Sequence, residues 1–327
     1  MTDMFEKPFV SIIVPNWNGK HVLRPCLRSL TNLKYPNYEV IVVDNASTDG
    51  SPKIVKDEFP DVKLIVNEKN LVWAGGCNVG IKSAKGEMIA FFNNDAVADP
   101  EWLSKLVNVI RSSPQIGVVG GIVLCYEPKD IIDDAGMKID PVTGIVWHVN
   151  RGKRLVQVEK QEDIDFISGV DLLTKREVIE KIGAFDEGYP LYNEETDWGL
   201  NAKRAGYECK IVPSAFVWHI GSFTVKKLPL AGYYFKSKSD FRFYFKNFPL
   251  RYLFTALFFQ LILKPTFETF FFKNPRFLLL KTKAFIWNLV RLRETIAKRK
   301  ENNNLGVVLK SRLRECLQVA LYRPYAY

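Results

Sequence analysis

The chain has 327 residues, of which 47% are apolar and 25% are charged, and both values are ordinary for globular proteins. They exclude a disordered chain, a collagen-like repeat and a small disulfide-rich scaffold. The net charge of +10 is unevenly divided, because residues 1–224 carry 25 basic and 31 acidic side chains whereas residues 225–327 carry 21 basic and 5 acidic ones. The same C-terminal region holds 22 of the 43 aromatic residues. A basic, aromatic region beside a mildly acidic one predicts an anionic partner, either nucleic acid or a membrane.

Cysteine usage and apolar runs predict where the protein works. The five cysteines are scattered and form no CxxC pair, which favours a reducing cytosol over a disulfide framework. The first eight residues lack the apolar segment of a signal peptide. The best apolar run, Tyr252–Leu263, has twelve residues, whereas a bilayer-spanning helix needs about 20. We therefore expect a cytoplasmic protein without an ordinary spanning helix.

The N-terminal part of the chain alternates short apolar strands with helical segments. Strands are predicted at Phe9–Val14, Tyr38–Asp44, Val62–Val66 and Glu87–Phe92. Helices are predicted at Gly19–Asn32, after Ser51 as N-cap with Pro52 at the first helical position, and at Gly75–Ala84. This order predicts an α/β fold with a mainly parallel sheet and helices on both faces. Ligands bind at the carboxyl ends of such strands, where polar residues 16–18, 44–45 and 93–95 stand.

The middle of the chain continues the pattern less regularly. The sequence predicts a helix at Glu101–Ser112, a strand region at Ile116–Leu124 and short strands and loops over 126–165. Asn193 is expected to cap a helix that runs to Ala205, and a strand from Ile211 to Trp218 ends at His219.

Beyond Val225 the pattern becomes helical. Pro249, Pro265 and Pro275 should each end or start a helix. A long helix is predicted from Pro275 to about Lys300. Its apolar face is predicted from residues that recur at spacings of three and four, namely Leu278, Thr282, Phe285, Leu289, Leu292 and Ile296.

Five motifs occur in a fixed order along the chain. They are Val10–Gly19 (VSIIVPNWNG), Val42–Ser51 (VVDNASTDGS), Ala74–Gly80 (AGGCNVG), Phe92–Asp95 (FNND) and Leu191–Leu200 (LYNEETDWGL). Together they resemble the family 2 glycosyltransferases, inverting enzymes with the GT-A fold, and most closely the rhamnosyltransferase-like branch. The resemblance extends from Phe9 to Val225. It implies a glycosyltransferase that takes a sugar from a nucleotide-diphosphate sugar.

The first three motifs are predicted to bind the sugar donor, the first two because the resemblance implies it. Asp44 matches the carboxylate that holds the nucleoside, and the backbone near Pro15 would lie close to the base. The alternative for Asp44 is an Asx-turn that shapes the strand-to-helix loop. Gly75 begins a glycine-rich stretch that either favours the phosphates or only allows close helix packing. With Asn70 and two residues of the fourth motif added, the predicted donor-binding residues are Pro15, Asn16, Asn18, Asp44, Asn45, Asn70, Gly75, Asn78, Asn93 and Asn94. The alternative for Asn70 and Asn78 is that they only close turns and caps.

The fourth motif matches the DxD motif of the family, whose last carboxylate binds Mg²⁺ or Mn²⁺ on the donor diphosphate. Asp95 matches that carboxylate, whereas Asn93 replaces the first Asp. Hard cations prefer oxygen ligands and commonly share them with phosphates. In the resembled family a His in a similar motif completes the metal site, so His219 is the second predicted ligand. The alternatives are a plain turn after the strand and an ordinary histidine.

The fifth motif places Glu194, Glu195 and Asp197 in the first turn of a helix, where carboxylates complement the helix dipole. The resemblance implies that one acid is the general base that takes the proton of the acceptor hydroxyl. That position maps to Glu195, with Asp197 as the second choice. Trp198, Glu194 and Asp186 are predicted to line the acceptor site.

The sequence thus predicts a GT-A domain at 1–225, with a donor half at about 1–125 and an acceptor half at about 126–225, followed by a helical region at 226–327. The acceptor is expected to be a saccharide or a lipid-linked saccharide. Basic amphipathic helices with bulky apolar faces lie in the membrane interface, so we expect the helical region to bind an anionic membrane on its cytosolic face. The alternative for this region is a helical cap packed on a core.

Other functions weighed against the glycosyltransferase fit less well. A nucleic-acid-binding protein would stack bases on the aromatics of the basic region, but those aromatics are mixed with Leu and Ile at helical spacing, so no nucleic acid is expected. A catalytically silent scaffold would not need the acids of the motifs. A processive polysaccharide synthase would carry a QxxRW motif, which is absent from the sequence.

Overall fold

A computed structural model describes residues 7–157, 163–221, 229–302 and 312–316. These residues divide into two units. The first unit consists of the described residues within 1–137, 148–185 and 205–221, and the second consists of those within 138–147, 186–204 and 222–327. The predicted acceptor half therefore contributes to both units. The predicted domain boundary near residue 225 falls at residues that the structure does not describe, so it stays a prediction.

Most of the described strands belong to the first unit. In chain order they are β1 (Val10–Asn16), β2 (Tyr38–Asp44), β3 (Lys63–Val66), β4 (Met88–Phe92), β5 (Ala96–Ala98), β6 (Ile116–Cys125), β7 (Ile132–Asp134), β8 (Met137–Asp140), β9 (Ile145–His148), β10 (Asp171–Lys175) and β11 (Glu208–His219). Nine of these described strands form one sheet in the order β3-β2-β1-β4-β10-β6-β11-β5, with β7 paired to β6. Strands β8 and β9 pair separately with each other.

The parallel part of the sheet confirms the prediction. Strands β3, β2, β1 and β4 are parallel neighbours, and their register places Asn16 beside Asp44. Strand β10 was not predicted, yet it lies antiparallel between β4 and β6. Its five residues, DLLTK, carry a charge at each end and are too short to show a clear alternation. Strand β11 continues the sheet parallel to β6, with an irregular register between Ile211 and Phe216.

Helices cover both faces of this sheet. In the first unit they are α1 (Leu23–Leu30), α2 (Ser51–Glu58), α3 (Val72–Ser83), α4 (Trp102–Arg111) and α5 (Arg176–Ile182). Alternate residues of β1 point to opposite faces. Ile12 belongs to the core that includes Leu27 of α1 and Leu103 of α4. Ile13 faces α3, where a Cβ on Gly80 would lie 2.4 Å from its Cγ2.

The start of α2 differs from the prediction. Gly50, with a φ of 85°, is the N-cap, and Ser51 is the first helical residue. The hydroxyl of Ser51 donates to Asp49 Oδ1 at 2.7 Å and accepts from Asn16 Nδ2 at 2.9 Å. Ser51 therefore links the helix to β1.

The second unit is mainly helical. Its helices are α6 (Glu194–Arg204), α7 (Pro229–Asn247), α8 (Leu250–Phe258), a π-helical segment (Phe259–Leu263), α9 (Lys264–Phe272), α10 (Arg276–Val290) and α11 (Leu292–Asn302). Helix α7 packs against α10 and α11. Phe241, Phe243, Tyr244 and Phe248 are buried within this unit, so these aromatics are packed.

Pro265 lies at the start of α9, as predicted, but it does not end the helix before it. Helix α8, the π-helical segment and α9 run on without a break, and Pro265 lies in the first turn of α9. A π-helical segment is one of the ways in which a helix accommodates a proline. Pro249 and Pro275 behave as predicted, since each is the N-cap of the following helix.

The long helix after Pro275 also differs from the prediction. It is interrupted at Arg291, and its buried positions include Lys281, Ala284 and Asn288. Leu278 and Leu289, from the predicted apolar face, are exposed. Polar partners determine which face is buried, because Lys281 Nζ donates to Gln260 Oε1 at 2.9 Å and Asn288 Nδ2 donates to the carbonyl of Lys238 at 3.0 Å.

In the part of the chain that the structure describes, no helix is both long enough and apolar enough to cross a bilayer.

Candidate active site

The polar residues at the carboxyl ends of β1, β2 and β4 meet in the first unit, as predicted. Asn16, at the end of β1, is the residue that joins them. Its Nδ2 donates to Asp44 Oδ2 at 2.8 Å, and its Oδ1 accepts from Asn94 Nδ2 at 2.7 Å. A Cβ on Gly19 would lie 2.3 Å from both Asn16 Oδ1 and Asn94 Nδ2, so a glycine is needed beside this pair.

The carboxylate of Asp44 also fixes the loop that follows β2. It is fully buried, and its Oδ1 accepts the backbone N–H of Ser47 at 2.8 Å. The Ser47 hydroxyl in turn accepts the backbone N–H of Asn18 at 2.8 Å, and Asn18 Oδ1 accepts the N–H of Thr48 at 2.9 Å. The loops after β1 and β2 therefore hold each other in place. This matches the loop-shaping alternative for Asp44, while its role in holding a nucleoside stays a prediction.

Asn45 and the start of α3 form the next part of the site. Asn45 Nδ2 donates to the carbonyl of Val72 at 2.9 Å, and its Oδ1 accepts from Asn67 at 2.9 Å. A Cβ on Gly76 would lie 3.2 Å from Pro15 Cβ, so α3 approaches β1 closely at this glycine. A Cβ on Gly75 would instead lie 2.7 Å from Cβ of Leu71, the N-cap of the same helix. Close packing is therefore what these glycines allow.

Asn70 and Asn78 both make structural hydrogen bonds. Asn70 Oδ1 accepts the N–H of Val72 at 2.8 Å, just before α3. Asn78 is buried and makes two hydrogen bonds with the backbone of Phe185, one donated at 2.9 Å and one accepted at 3.0 Å. Their roles in donor binding stay predictions.

Asn93 and Asp95 diverge at the end of β4. Asn93 Oδ1 accepts the indole N–H of Trp73 at 3.0 Å. Asp95 instead faces His219 at the end of β11, with 3.2 Å between Asp95 Oδ1 and His219 Nε2. The two predicted metal ligands therefore lie side by side.

His219 has a second carboxylate partner, Asp133 of β7. Asp133 Oδ2 lies 2.9 Å from His219 Nδ1, and Asp133 Oδ1 lies 2.9 Å from a guanidinium nitrogen of Arg151. Burial lowers the pKa of His219, but its hydrogen bonds to Asp133 and Asp95 outweigh burial and raise this pKa to about 10. Burial raises the pKa of Asp133, but His219 and Arg151 outweigh it and lower this pKa to about 2.

Asp95 and His219 fit a hard divalent cation in chemical type. A carboxylate and an imidazole nitrogen are both ligands of Mn²⁺-type cations, and a cation can replace the proton on Nε2. Among the described residues, no group of three or more His, Cys, Asp or Glu side chains is arranged to hold a metal alone. A cation held by this pair would therefore take further oxygens from the donor diphosphate, as such cations commonly do.

In the second unit, two of the predicted site acids are bound by cations of α7. Asp197 accepts from Lys246 Nζ at 2.7 Å and from Asn247 Nδ2 at 2.7 Å. Asp186 accepts from Lys246 at 2.8 Å and from Arg242 at 3.1 Å. All five of these side chains are buried or nearly so. The contacts join the start of α6, and the loop before it, to α7.

Glu194 and Glu195 differ in burial. Glu194 is buried. Its pKa lies well above the usual value, mainly because of burial and secondly because of the charge of the neighbouring Glu195. Glu195 is partly exposed, unlike the other acids in the first turn of α6. Trp198 is almost completely buried, so its role at an acceptor site stays a prediction.

Comparison with known protein families decides the identity of the fold. The sequence profile described as Glycosyl transferase family 2 matches residues 11–183, which is more than half of the chain. The chain belongs to glycosyl transferase family 2. The matched region contains all of the polar residues that meet at the ends of β1, β2 and β4, and it includes Asp95 and Asp133.

Two known glycosyltransferases are moderately similar to the chain. Glycosyltransferase AglE of Haloferax volcanii is 28% identical over 205 residues, which are 61% of this chain and 63% of AglE. N-acetylglucosaminyl-diphospho-decaprenol L-rhamnosyltransferase of Mycobacterium tuberculosis is 27% identical over 225 residues, which are 62% of this chain and 72% of that protein. The match therefore spans less than two thirds of AglE.

A solved structure confirms the fold of this family 2 chain. Mannosyltransferase PcManGT from Pyrobaculum calidifontis, in complex with GDP-Man and Mn²⁺, aligns with a TM-score of 0.56 at 18% identity. The alignment covers 98% of this chain and 83% of PcManGT. The predicted GT-A fold with a helical C-terminal region is thus confirmed.

Reasoning from the sequence did not single out several residues that lie in or beside the candidate site. Asp133 lies in a stretch predicted only as irregular, and no motif marks it. Trp73 precedes the glycine-rich motif and stacks edge to face with Phe185 at 5.0 Å. Trp17 stands between Asn16 and Asn18, and 44% of its surface is exposed. A tryptophan between two polar residues at the end of a strand is a sequence signal that could have marked it as a candidate ligand contact.

Proposed function

We propose that this family 2 chain is an inverting glycosyltransferase. It moves a sugar from a nucleotide-diphosphate sugar to a hydroxyl of a saccharide or a lipid-linked saccharide. The observation that carries the proposal is the joining of three strand ends through Asn16, with Asp95 and His219 paired at the end of the same sheet. Ligands of α/β sheets bind at such strand ends.

The donor is proposed to bind along the loops after β1, β2 and β4. The exposed ring of Trp17 offers an apolar face on which a nucleobase can stack. Asp44 holds the loop in shape through Asn16 and Ser47, and a carboxylate has enough lone pairs to accept a further hydrogen bond from a ribose hydroxyl. Asn93 supplies a neutral amide in place of the first acid of the DxD motif.

A Mg²⁺ or Mn²⁺ ion is proposed to be held by Asp95 and His219 together with the donor diphosphate. When bound, such an ion neutralises the charge that develops on the leaving diphosphate. Asp95 supplies a carboxylate for this purpose, and His219 supplies Nε2 while its other nitrogen faces Asp133.

Glu195 is the proposed general base. Its partial exposure allows it to reach a substrate hydroxyl, whereas Asp197 is buried and engaged by Lys246 and Asn247. The N-terminus of α6 favours the ionised form of a carboxylate, as a base needs. In the proposed step the acceptor oxygen bonds to the anomeric carbon while the bond from that carbon to the diphosphate oxygen breaks. The hydroxyl proton passes to Glu195, the electron pair leaves with the diphosphate, and the anomeric configuration inverts.

A panel of nucleotide-diphosphate sugars tests this function. Wild-type protein should bind at least one of them and hydrolyse or transfer its sugar in the presence of Mn²⁺. Glu195→Gln should bind the donor normally but lose at least about 100-fold of transfer, since general base catalysis contributes that much. Glu180→Gln, on the exposed side of α5, is the matched control and should behave as wild type. The proposal fails if no donor binds, or if Glu195→Gln and Asp95→Ala both retain full transfer.

The helical part of the second unit is proposed to rest on an anionic membrane surface. Leu250, Phe254, Phe258 and Ile262 recur every four residues and are all more than half exposed. Phe270, at 84% exposure, belongs to the following turns, which also expose Phe267 and Phe271. Residues 225–327 carry 21 basic side chains against 5 acidic ones. Bulky apolar faces combined with positive charge are typical of helices that lie in the membrane interface.

Flotation with liposomes tests the membrane proposal. The protein should float with vesicles that contain anionic lipid and should bind neutral vesicles more weakly. The double variant Phe254→Ser/Phe270→Ser should float more weakly than wild type, while Val156→Ser, at an exposed apolar residue of the first unit, should float as wild type does. Equal partitioning of wild type and the double variant would contradict the proposal.

A further inference from the structure

A carboxylate outside the five motifs contacts one of the proposed metal ligands. Asp133 lies in β7, which pairs with the end of β6 on one side, while β11 pairs with β6 on the other. The end of β6 therefore holds both β7 and β11 through backbone hydrogen bonds. The N–H of Cys125 donates to the carbonyl of Ile131 at 2.8 Å, and the N–H of Tyr126 donates to the carbonyl of His219 at 2.9 Å. The positions of Asp133 and His219 are fixed by the sheet.

The side chains complete this arrangement. His219 Nδ1 lies 2.9 Å from Asp133 Oδ2, and Nε2 lies 3.2 Å from Asp95 Oδ1. The other oxygen of Asp133 is 2.9 Å from Arg151, so the carboxylate cannot rotate without losing an ion pair. All three residues of the Asp133–His219–Asp95 chain have mostly buried side chains.

An imidazole can bind a cation through a nitrogen only when that nitrogen carries no proton. A carboxylate that accepts the proton of the opposite nitrogen selects the correct tautomer and fixes the plane of the ring. We propose that Asp133 is a positioning residue that holds the proton on His219 Nδ1 and so directs the lone pair of Nε2 toward the cation beside Asp95. This inference rests on the proposed metal role of Asp95 and His219.

The neighbouring strand position offers a comparison. Asp134 pairs with His148 through an Oδ1–Nδ1 distance of 3.1 Å, but that histidine is not next to Asp95 in any described contact. Asp130 lies in the same segment, is about half exposed and pairs with Arg154 at 3.0 Å. Asp130→Ala therefore removes a carboxylate and an ion pair from this segment without touching His219, and it serves as the matched control.

Binding of Mn²⁺, measured by electron paramagnetic resonance of the free ion, tests the inference without any turnover. The titrations use the full chain with UDP or GDP as the probe nucleotide. Asp133→Ala should weaken Mn²⁺ binding about 10- to 100-fold, which is the usual effect of removing such an outer carboxylate. Asp133→Asn keeps the shape and should fall between wild type and Asp133→Ala. Asp130→Ala should bind Mn²⁺ as wild type does.

A double-mutant cycle separates positioning from a general loss of structure. In a His219→Gln background the change Asp133→Ala should cause no further loss of Mn²⁺ affinity, because Asp133 acts only through the imidazole. An equal, additive loss in both backgrounds would overturn the inference, as would unchanged binding by Asp133→Ala and Asp133→Asn. If wild type itself binds no Mn²⁺ with either nucleotide, the proposed metal role is wrong and the inference falls with it.

Discussion

Asn16 shows how one buried amide can organise several strand ends. Its amide nitrogen donates toward Asp44 and Ser51, and its oxygen accepts from Asn94. An aspartate could not replace it, because a carboxylate cannot donate to Asp44. The asparagine between Pro15 and Trp17 is therefore explained by its hydrogen bonds, whether or not it also touches the donor.

Replacement of Asn16 should destabilise the first unit. Asn16→Asp would place a carboxylate oxygen where Nδ2 lies 2.8 Å from Asp44 Oδ2, so two buried acceptors would face each other. We expect a loss of about 3 kcal/mol in the free energy of unfolding, at the upper end for an unsatisfied buried polar group. Asn16→Ala should lose less. Urea denaturation measures both, with the exposed Asn32→Ala as control. A change below 0.5 kcal/mol, as is usual for surface substitutions, would contradict the argument.

Asp171 makes stability depend on pH. It is buried at the start of β10 and accepts from the indole of Trp102 at 3.1 Å and the N–H of Gly121 at 2.7 Å. Burial, only partly offset by these bonds, raises its pKa from 3.8 to about 7. Between these values the unfolded chain releases a proton that the folded chain keeps, so stability falls as pH rises toward 7.

Asp171→Asn should remove this slope. The amide oxygen can still accept from Trp102 and Gly121, and no ionised carboxylate has to be buried at neutral pH. Thermal unfolding followed from pH 4 to pH 8 should therefore give a flatter profile for the variant, and Asp61→Asn at an exposed site should keep the wild-type slope. Identical slopes for wild type and Asp171→Asn would show that Asp171 does not titrate in this range.

At the scale of elements, α6 and α7 are held together by buried charges. Lys246 on α7 contacts Asp186 and Asp197, and Arg242 also contacts Asp186. Removal of one partner from a buried ion pair costs about 3–5 kcal/mol, because the other charge stays buried. Lys246→Met should therefore lower the free energy of unfolding by about 3 kcal/mol. This is the lower end of that range, because Arg242 still pairs with Asp186 and Asn247 still donates to Asp197. Lys283→Met, at an exposed position on α10, should have little effect.

The pairing of Asp186 with Lys246 and Arg242 should make the free energy of unfolding fall at low pH. Burial raises the pKa of Asp186, but Lys246 and Arg242 outweigh it and lower this pKa from 3.8 to about 2. Its contribution is therefore present above about pH 4 and is lost as pH falls through 2. Acid denaturation of Lys246→Met should show a smaller decline over this range than that of wild type. A steeper decline in the variant would contradict the assignment.

The sequence predicts an element well when the element has a long apolar run or a clear periodicity of its own. Strands β1, β2 and β4 are apolar runs bounded by polar residues, and all three were predicted within two residues. Strand β10 has only five residues and strand β7 only three, so pairing with β6 rather than local pattern determines them. The buried face of α10 could not be read from periodicity, because Lys281 and Asn288 are buried through distant partners. Asp95 and His219 could be proposed as metal ligands because each stands in a recognisable motif. Asp133 stands in no motif, and only the pairing of β7 with β6 shows that it lies beside His219.

At the scale of the whole molecule, the +10 net charge is the sum of two opposite contributions. Residues 1–224 supply an excess of acids, several of which lie in the candidate site, whereas residues 225–327 carry 21 basic and 5 acidic side chains. The exposed phenylalanines Phe254 and Phe270 belong to the same basic region of the sequence. Charge attracts a protein to an anionic bilayer over about one Debye length, whereas apolar side chains contribute only once they enter the interface. The two contributions should therefore respond differently to salt.

Salt titration of vesicle binding should separate them. Raising the salt concentration from about 0.1 M to 1 M shortens the Debye length from about 10 Å to about 3 Å, so affinity for anionic vesicles should fall by at least tenfold. Binding should nevertheless persist at 1 M, because insertion of Phe254 and Phe270 does not depend on charge. The Phe254→Ser/Phe270→Ser variant should bind at low salt only and release completely at high salt. Complete release of wild type at 1 M would mean that the exposed aromatic face does not enter the bilayer, and that charge alone holds the protein at the surface.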